Sequence, residues 1–185
     1  RQTADSFERT LQQVALLRPD RIALYAYAHL PERFKAQRRI ITAELPPASA
    51  KVSMLARSLD AFITAGYVYV GMDHFALPED ALAVAKRQGR LHRNFQGFTD
   101  DAAPVLIGLG ASAISSFPGL IVQNEKNVGR YRTILSDALL PAARGITRSE
   151  EDRERGAVIE HLLCCGRARL SSRLLNEAKQ ALTSF

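Results

Sequence analysis

Between Gly71 and Phe98 the chain gathers Asp73, His74, Arg90, His92, Arg93, Asn94, Phe95, Gln96 and Phe98 into one short stretch, a composition wrong for an ordinary connector. Hydrogen-bonding heads beside flat apolar rings are what a site uses to hold a ligand with both a polar and an aromatic part. Phe95 and Gln96 are the sharpest pair, since the ring offers a face that stacks on adenine and the amide both donates and accepts at a polar edge. The plain alternative is a Phe that plugs the core beside a turn-forming Gln. Asp73 and His74 directly follow a strand-like run, where an Asp–His pair either orients a structural histidine or serves acid–base chemistry. His29 and His92 carry the same ambiguity.

Arg38, Arg39 and Arg93 are candidates for holding carboxylates, because a guanidinium fork matches a carboxylate in two parallel hydrogen bonds. Solvated surface charge is the competing reading. Cys164 and Cys165 are adjacent, so they make no ordinary disulfide with each other and supply no metal-ligand spacing. The four histidines likewise lack a spacing that argues for metal, and no metal ligand is assigned. Gly108, Gly110 and Ala113 match the dinucleotide fingerprint GxGxxA, which requires a helix opening at the glycines and a carboxylate about 20 residues later. Pro118 cuts off any such helix, and the nearest acids are misplaced. The glycines read better as letting the backbone pass close to a ligand or to another strand.

Elements that would position these residues follow from periodicity. Phe7, Leu11, Val14 and Ala15 repeat at helical spacing until Arg18, Pro19 and Asp20 break the pattern, and Ile22 to Ala28 reads as a buried strand with Ala28 at its C-terminal end. Small-residue packing beneath Tyr27 is the bland reading of Ala28. Pro46 and Pro47 precede a second helix with Val52, Leu55, Leu59, Phe62 and Ile63 on one face and Gly66 at its end, and Tyr67 to Met72 reads as the next strand. Helix, strand, helix, strand is the order of the later part of a parallel α/β barrel or sheet. Because a helix followed by a strand is half of a βαβ unit, the abrupt start at Arg1 implies an earlier strand outside this sequence. Pro78 to Gln88 is expected to form a short helix ended by Gly89, with 92–97 irregular after it. Helical spacing returns over Val128 to Leu139, and Thr147 to Glu150 carries a capping-box pattern before the stripe Val158, Leu162 and Leu163. Leu170 to Leu182 completes a second small helical unit.

The whole composition sets limits on function. At 185 residues, with 46% hydrophobic and 24% charged residues, the chain is an ordinary globular sequence long enough for a sizeable core. A net charge of +6 attracts anions but is spread along the chain rather than gathered into one block. A basic nucleic-acid-binding module would need Lys and Arg on one face, interleaved with aromatics or set on a recognition helix, and neither pattern is present. No apolar run approaches the roughly 18–20 residues that cross a bilayer, and no charged-then-apolar leader pattern opens the sequence. These features lead to the expectation of a soluble protein of the reducing cytoplasm, with no membrane or nucleic-acid partner.

The stretch GMDHFA beginning at Gly71 with the run LHRNFQGF ending at Phe98 resembles the oxygen-independent coproporphyrinogen III oxidases, radical S-adenosylmethionine (SAM) enzymes of anaerobic haem synthesis. The resemblance extends to Tyr27–Pro31 with Gln37, Arg38 and Arg39, to Gly108–Ser115, and to Gln123 and Asn124 followed by Lys126 and Tyr131. It implies an α/β fold: the later part of a radical SAM partial (β/α) barrel over residues 1–140, carrying substrate and SAM loops, followed over 141–185 by the start of a small helical C-terminal domain. It also implies an oxidoreductase that decarboxylates two propionates of coproporphyrinogen III to the vinyl groups of protoporphyrinogen IX, using SAM, a 4Fe-4S cluster, an electron donor and an electron acceptor, as a monomer when complete. By resemblance Ile114 packs on the SAM cleaved at the cluster, Ala28 contacts a second SAM, and Phe95 and Gln96 lie near that second molecule. Arg38, Arg39 and Arg93 would then pair with the propionates.

Radical SAM chemistry needs three cysteines spaced CxxxCxxC for three irons of the cluster, and this sequence has no such spacing. The resemblance therefore implies a fragment that begins after the cluster-bearing half, binds no cluster and is inactive alone. The segment Leu163–Leu170 follows the family only loosely, and the sequence stops before the usual helical domain would finish. Such a fragment would expose strand edges and apolar faces, and is expected to aggregate or remain partly unfolded. A related branch of haem-binding chaperones shares the scaffold, but carries a different pattern where this chain has Leu91 to Gly97, which favours the oxidase.

Overall fold

Thr3 starts the first helix with a reciprocal cap: its hydroxyl accepts from the Ser6 backbone at 3.2 Å while the Ser6 hydroxyl accepts from the Thr3 backbone at 2.9 Å. The computed structural model describes residues 2–183. It consists of two units, Arg1–Gln88 and Gly89–Phe185. In the first, α1 (Ala4–Leu17) ends where Arg18 turns left-handed at φ 46° ahead of Pro19. After β1 (Arg21–Ala23) an extended segment and two short 3-10 turns lead to α2 (Ala48–Thr64), then to the hairpin β2 (Val68–Gly71) and β3 (His74–Ala76), then to α3 (Ala81–Arg87).

Helix, strand, helix, strand is the observed order, as the sequence implies, but the strand pairing differs from a simple parallel sheet. β3 lies between β1 and β2 and runs antiparallel to both, so β1 and β2 share a direction without being neighbours. The expected buried strand from Ile22 to Ala28 shrinks to Arg21–Ala23 and is largely exposed. Its pairing explains this: among the described residues β1 bonds only to β3, which begins at His74 opposite Ala23, so the ladder stops there, and no second strand pairs with the other edge of β1.

Phe7, Leu11, Phe62, Tyr67, Phe75 and Leu77 form the core of this unit, with Phe62 at the centre of edge-on ring contacts to Tyr67 at 5.9 Å and Phe75 at 5.0 Å. α2 buries Phe62 and Ser58 and packs Met54 and Ala61 beside them, while Val52, Leu55 and Ile63 of the expected stripe are exposed. Phe62 and Leu59 of that stripe do pack into the core, together with Ser58, whose hydroxyl donates to the Met54 carbonyl at 2.7 Å, so the buried face is offset from the stripe rather than coincident with it. Gly66, at φ 89°, ends the helix as expected.

The second unit begins with a hairpin where an irregular segment was expected. β4 (His92–Asn94) pairs antiparallel with β5 (Gly97–Thr99) across the tip residues Phe95 and Gln96. Two local devices close it: the Asn94 side chain accepts from the Gln96 backbone at 2.8 Å, and Gly97 takes a φ of 131° that side-chain-bearing residues avoid. A three-stranded antiparallel sheet follows, in which β7 (Leu120–Asn124) lies between β6 (Ile114–Phe117) and β8 (Ala142–Thr147), with α4 (Val128–Ser136) in the β7–β8 connection.

α5 (Glu150–Cys165) is capped by Ser149 and Asp152, two residues later than the expected Thr147–Glu150 box, because Thr147 still pairs with Leu120 in β8. Of its length only Cys164 is buried; Leu162 is exposed and Val158 and Leu163 are half-buried, so the expected stripe is not a core face. α6 (Ser172–Leu182) packs Leu174 inward and joins α5 through ion pairs of Arg155 and Arg173 with Glu151, Glu154 and Glu177, of which Arg173–Glu154 is 2.6 Å and Arg155–Glu151 is 2.8 Å. Arg155 and then Arg173 hold the Glu151 carboxyl below its usual range, and the Ser171 hydroxyl and then Arg173 do the same for Glu154. Acids with depressed folded values stabilise above their unfolded value and lose that contribution as pH falls through the folded one. Docking of α6 on α5 is therefore expected to weaken below about pH 4 and with added salt, read as lost amide-exchange protection in α6. Unchanged protection in acid would contradict the role of the network.

Large apolar side chains are exposed in both units, among them Leu16 and Leu17 on α1, Val52 and Ile63 on α2, and Leu109, Leu139, Leu140 and Ile146 in the second. No helix is long and apolar enough to cross a membrane among the described residues.

Candidate functional site

In the second unit, the β4–β5 hairpin, the loop 101–106, the β6–β7 strands and α5 surround a cleft of about 700 Å³. That volume suits a small organic ligand. Arg93 and Phe95 from the sequence-predicted set both line it. The Arg93 guanidinium lies over the Phe98 ring at 5.5 Å, and its Nε is buried with no hydrogen-bond partner among the described residues. Phe95 is 55% exposed, so it is not a core plug; Gln96 is the turn residue of the bland reading, with its backbone held by Asn94.

Glu160 of α5 ties the hairpin to the helix. Its Oε1 accepts from the Arg93 backbone at 3.2 Å and lies 3.1 Å from His92 Nδ1. Sequence reasoning missed Glu160, and also Arg148 at the end of β8. The Arg148 Nη2 donates to the Phe117 carbonyl at 2.8 Å and the Pro118 carbonyl at 3.2 Å, and its Nε is buried without a partner among the described residues. Both arginines line the cleft, each with a buried Nε that has no hydrogen-bond partner among the described residues.

Ile114 opens β6 opposite Gln123, outside the residues lining the cleft. The glycines before it behave as the second of the two sequence readings requires. A Cβ on Gly108 would stand 2.6 Å from the Ile114 carbonyl oxygen, so only glycine permits this approach of backbone to strand. Gly110 and Ser112 form a turn rather than the start of a helix, which removes the dinucleotide fingerprint. Asn124 Nδ2 donates to the Gly108 and Gly110 carbonyls at 3.2 and 3.0 Å, and the Tyr131 hydroxyl accepts from the Gly110 backbone at 3.1 Å. Gly108→Ala is expected to displace β6 and cost ~1–3 kcal/mol in equilibrium unfolding. A variant as stable as the parent would show that this approach is not tight.

In the first unit Ala28 is exposed, five residues past the end of β1 by number (28 against 23). Its conformation comes from Gln37, which mimics a neighbouring strand: Oε1 accepts from the Leu30 backbone at 2.5 Å and Nε2 donates to the Ala28 carbonyl at 3.2 Å. His29 is held between the Tyr27 hydroxyl at 3.3 Å and the Thr42 hydroxyl at 3.1 Å. Arg38 spends Nε on the Pro31 carbonyl at 2.9 Å, and Arg39 is exposed. Asp73 holds His74 Nδ1 at 2.7 Å and the Tyr25 hydroxyl lies 3.4 Å from its Nε2, so the ring is oriented as in the structural reading of this pair.

No three His, Cys, Asp or Glu side chains are gathered as a metal centre among the described residues. Burial, and then the Glu160 carboxylate, push the Cys164 thiol up to about 11, while Cys165 is exposed. One buried, protonated thiol and its sequence neighbour do not fit the ligand set of a 4Fe-4S cluster.

No protein-family profile matches the sequence. Curated relatives do: the oxygen-independent coproporphyrinogen III oxidase of Pseudomonas aeruginosa is 48% identical over 164 residues, and that of Escherichia coli 43% identical over the same length. In each case the match takes in 89% of this chain and 36% of the relative, so the chain spans about a third of the length of the curated relatives it matches. A solved structure of Escherichia coli coproporphyrinogen III oxidase, described as a radical SAM enzyme, matches with a TM-score of 0.82 and 43% identity, over 88% of this chain and 38% of that one. Over nearly nine-tenths of its length, then, the chain is a homologue of one part of the oxygen-independent coproporphyrinogen III oxidases and shares that part's α/β fold.

Proposed function

We propose that the chain forms one wall of the SAM and substrate site of an oxygen-independent coproporphyrinogen III oxidase of the cytoplasm, whose reaction converts two propionates of coproporphyrinogen III to vinyl groups, each losing a hydrogen atom to a SAM-derived radical, carbon dioxide, and one electron to an electron acceptor. The observation that carries this reading is the hairpin β4–β5, which brings the exposed Phe95 ring and Arg93 to the lining of one cleft in a chain 48% identical to such an enzyme over 164 residues. A flat ring suits a purine or pyrrole face, and a guanidinium suits a carboxylate.

SAM and a 4Fe-4S cluster would supply the hydrogen-abstracting chemistry, with the cluster's ligands outside this chain. Phe95, Gln96, Ile114 and Ala28 are assigned to SAM; Arg93, Arg38 and Arg39 are assigned to the propionates. Of these, Arg93 is the best supported, because Arg38 is already engaged with Pro31. Residues 1–140 would be the barrel portion of the enzyme and 141–185 its helical portion.

The test is an anaerobic assay of the full-length protein containing this chain, with coproporphyrinogen III, SAM, a low-potential reductant and an electron acceptor. Divinyl product with stoichiometric carbon dioxide supports the proposal. Stable haem binding without turnover would replace it with a carrier function.

A further inference from the structure

The β4–β5 hairpin is held at the root of its tip by a residue of another element. β4 pairs with β5 along one edge and with no second strand along the other among the described residues, which would leave the outward Arg93 N–H without an acceptor. Glu160 of α5 supplies one: its Oε1 accepts from the Arg93 backbone at 3.2 Å and lies 3.1 Å from His92 Nδ1, so one oxygen meets two consecutive residues of β4. α5 packs against β4, and Cys164, one turn beyond Glu160, is its only buried residue. A two-stranded hairpin is marginal by itself, and the contact of the Arg93 guanidinium with the Phe98 ring stays within the hairpin. At about 3.3 Å of strand per residue, Phe95 and Gln96 stand roughly 7–10 Å from the anchor, so a small pivot at Arg93 becomes a displacement of the tip. The Glu160 and His92 side chains are 38% and 40% exposed, so their contact adds little to global stability. What it fixes is the direction of the hairpin.

We infer that Glu160 is a positioning residue for SAM: by tying the outer edge of β4 to α5, it sets where the tip presents the Phe95 ring and the Gln96 amide. Glu160 touches neither ligand nor reacting atoms and acts through the hairpin. It lies on α5, outside every motif-matched segment, and gives that helix a part in cofactor binding. The inference rests on the proposed function for the identity of the ligand; the anchoring of the hairpin rests on the two contacts of Glu160 alone. Its essential property is the reach of an acceptor oxygen to the Arg93 N–H, which a side-chain amide of the same length shares with a carboxylate.

The experiment follows hydrogen exchange of the Arg93 amide, equilibrium SAM binding and SAM kinetics in the full-length protein and in Glu160→Gln, Glu160→Ala and Glu160→Asp. Glu160→Gln keeps an acceptor at the same reach without the charge, Glu160→Ala removes it, and Glu160→Asp keeps the charge one methylene short. Reach and charge are thereby separated, and Glu160→Asp decides the matter if Glu160→Ala folds poorly. The expected result is parent-like exchange and affinity in Glu160→Gln. In Glu160→Ala and Glu160→Asp the Arg93 amide should exchange ~10-fold faster and SAM should bind ~3- to 10-fold more weakly, with KM for SAM raised to match and kcat at saturating SAM and melting temperature unchanged. Parent-like Arg93 exchange in Glu160→Ala and Glu160→Asp would overturn the anchor. A parent-like Glu160→Asp beside an impaired Glu160→Gln would overturn it in favour of a charge effect. Faster exchange with unchanged SAM affinity would overturn the positioning role and leave the proposed function standing. A parent that binds no SAM would overturn the proposed function, and this role with it.

Discussion

Phe62→Ala is expected to remove ~3–5 kcal/mol of stability, a large share of the ~5–15 kcal/mol that a domain typically has. Phe62 is 1% exposed and contacts the rings of both Tyr67 and Phe75, so the vacated space is lined on several sides by rigid neighbours that cannot close over it. Ile63, one residue on, is 55% exposed, and Ile63→Ala should change stability by less than about 0.5 kcal/mol. Equilibrium denaturation of the two variants checks which side of its apolar stripe α2 buries. Comparable losses from both would mean that Ile63 is buried along with Phe62.

Phe95→Ala should leave stability nearly unchanged and lower activity of the full-length enzyme. An exposed ring at a hairpin tip contributes little to folding, while loss of stacking on a purine costs ~1–3 kcal/mol, equivalent to roughly 5- to 150-fold. The loss is expected mainly in the KM for SAM, with Phe95→Tyr retaining most of the parent activity. A Phe95→Ala enzyme with parent-like kinetics but a lowered melting temperature would return Phe95 to a packing role.

Much of the framework was legible in single residues. Arg18 with Pro19 ends α1 where the periodicity breaks, Gly66 and Gly89 end α2 and α3 with positive φ, and Gly108 passes against Ile114 as one of its two readings required. Local conformational rules decide such positions, so a sequence window contains them. The misreadings fall where partners distant in sequence decide. Apolar spacing places Val52, Leu55 and Ile63 on the inner face of α2, but the residues it buries are Ser58 and Phe62. The segment 92–97 has no period-2 alternation, and its hairpin depends on the Asn94 side chain and on Gly97.

The site was legible to the same extent. Arg93 and Phe95 stood out because polar and aromatic types alternate around them. Arg148 had no such context: it reads as a basic residue before a helix cap, and only the carbonyls of Phe117 and Pro118, some thirty positions earlier, give it an orientation. Gln37 was noticed as part of a matched segment, but its brace on Ala28 and Leu30 follows from the fold.

The central claim is that the tip of the β4–β5 hairpin touches SAM in the assembled enzyme. Ultraviolet cross-linking of radiolabelled SAM to the full-length protein, followed by peptide mapping, tests it most directly. Label on the peptide containing Phe95 and Gln96, displaced by excess unlabelled SAM, is the predicted result. Displaceable label confined to peptides outside residues 1–185 would contradict it.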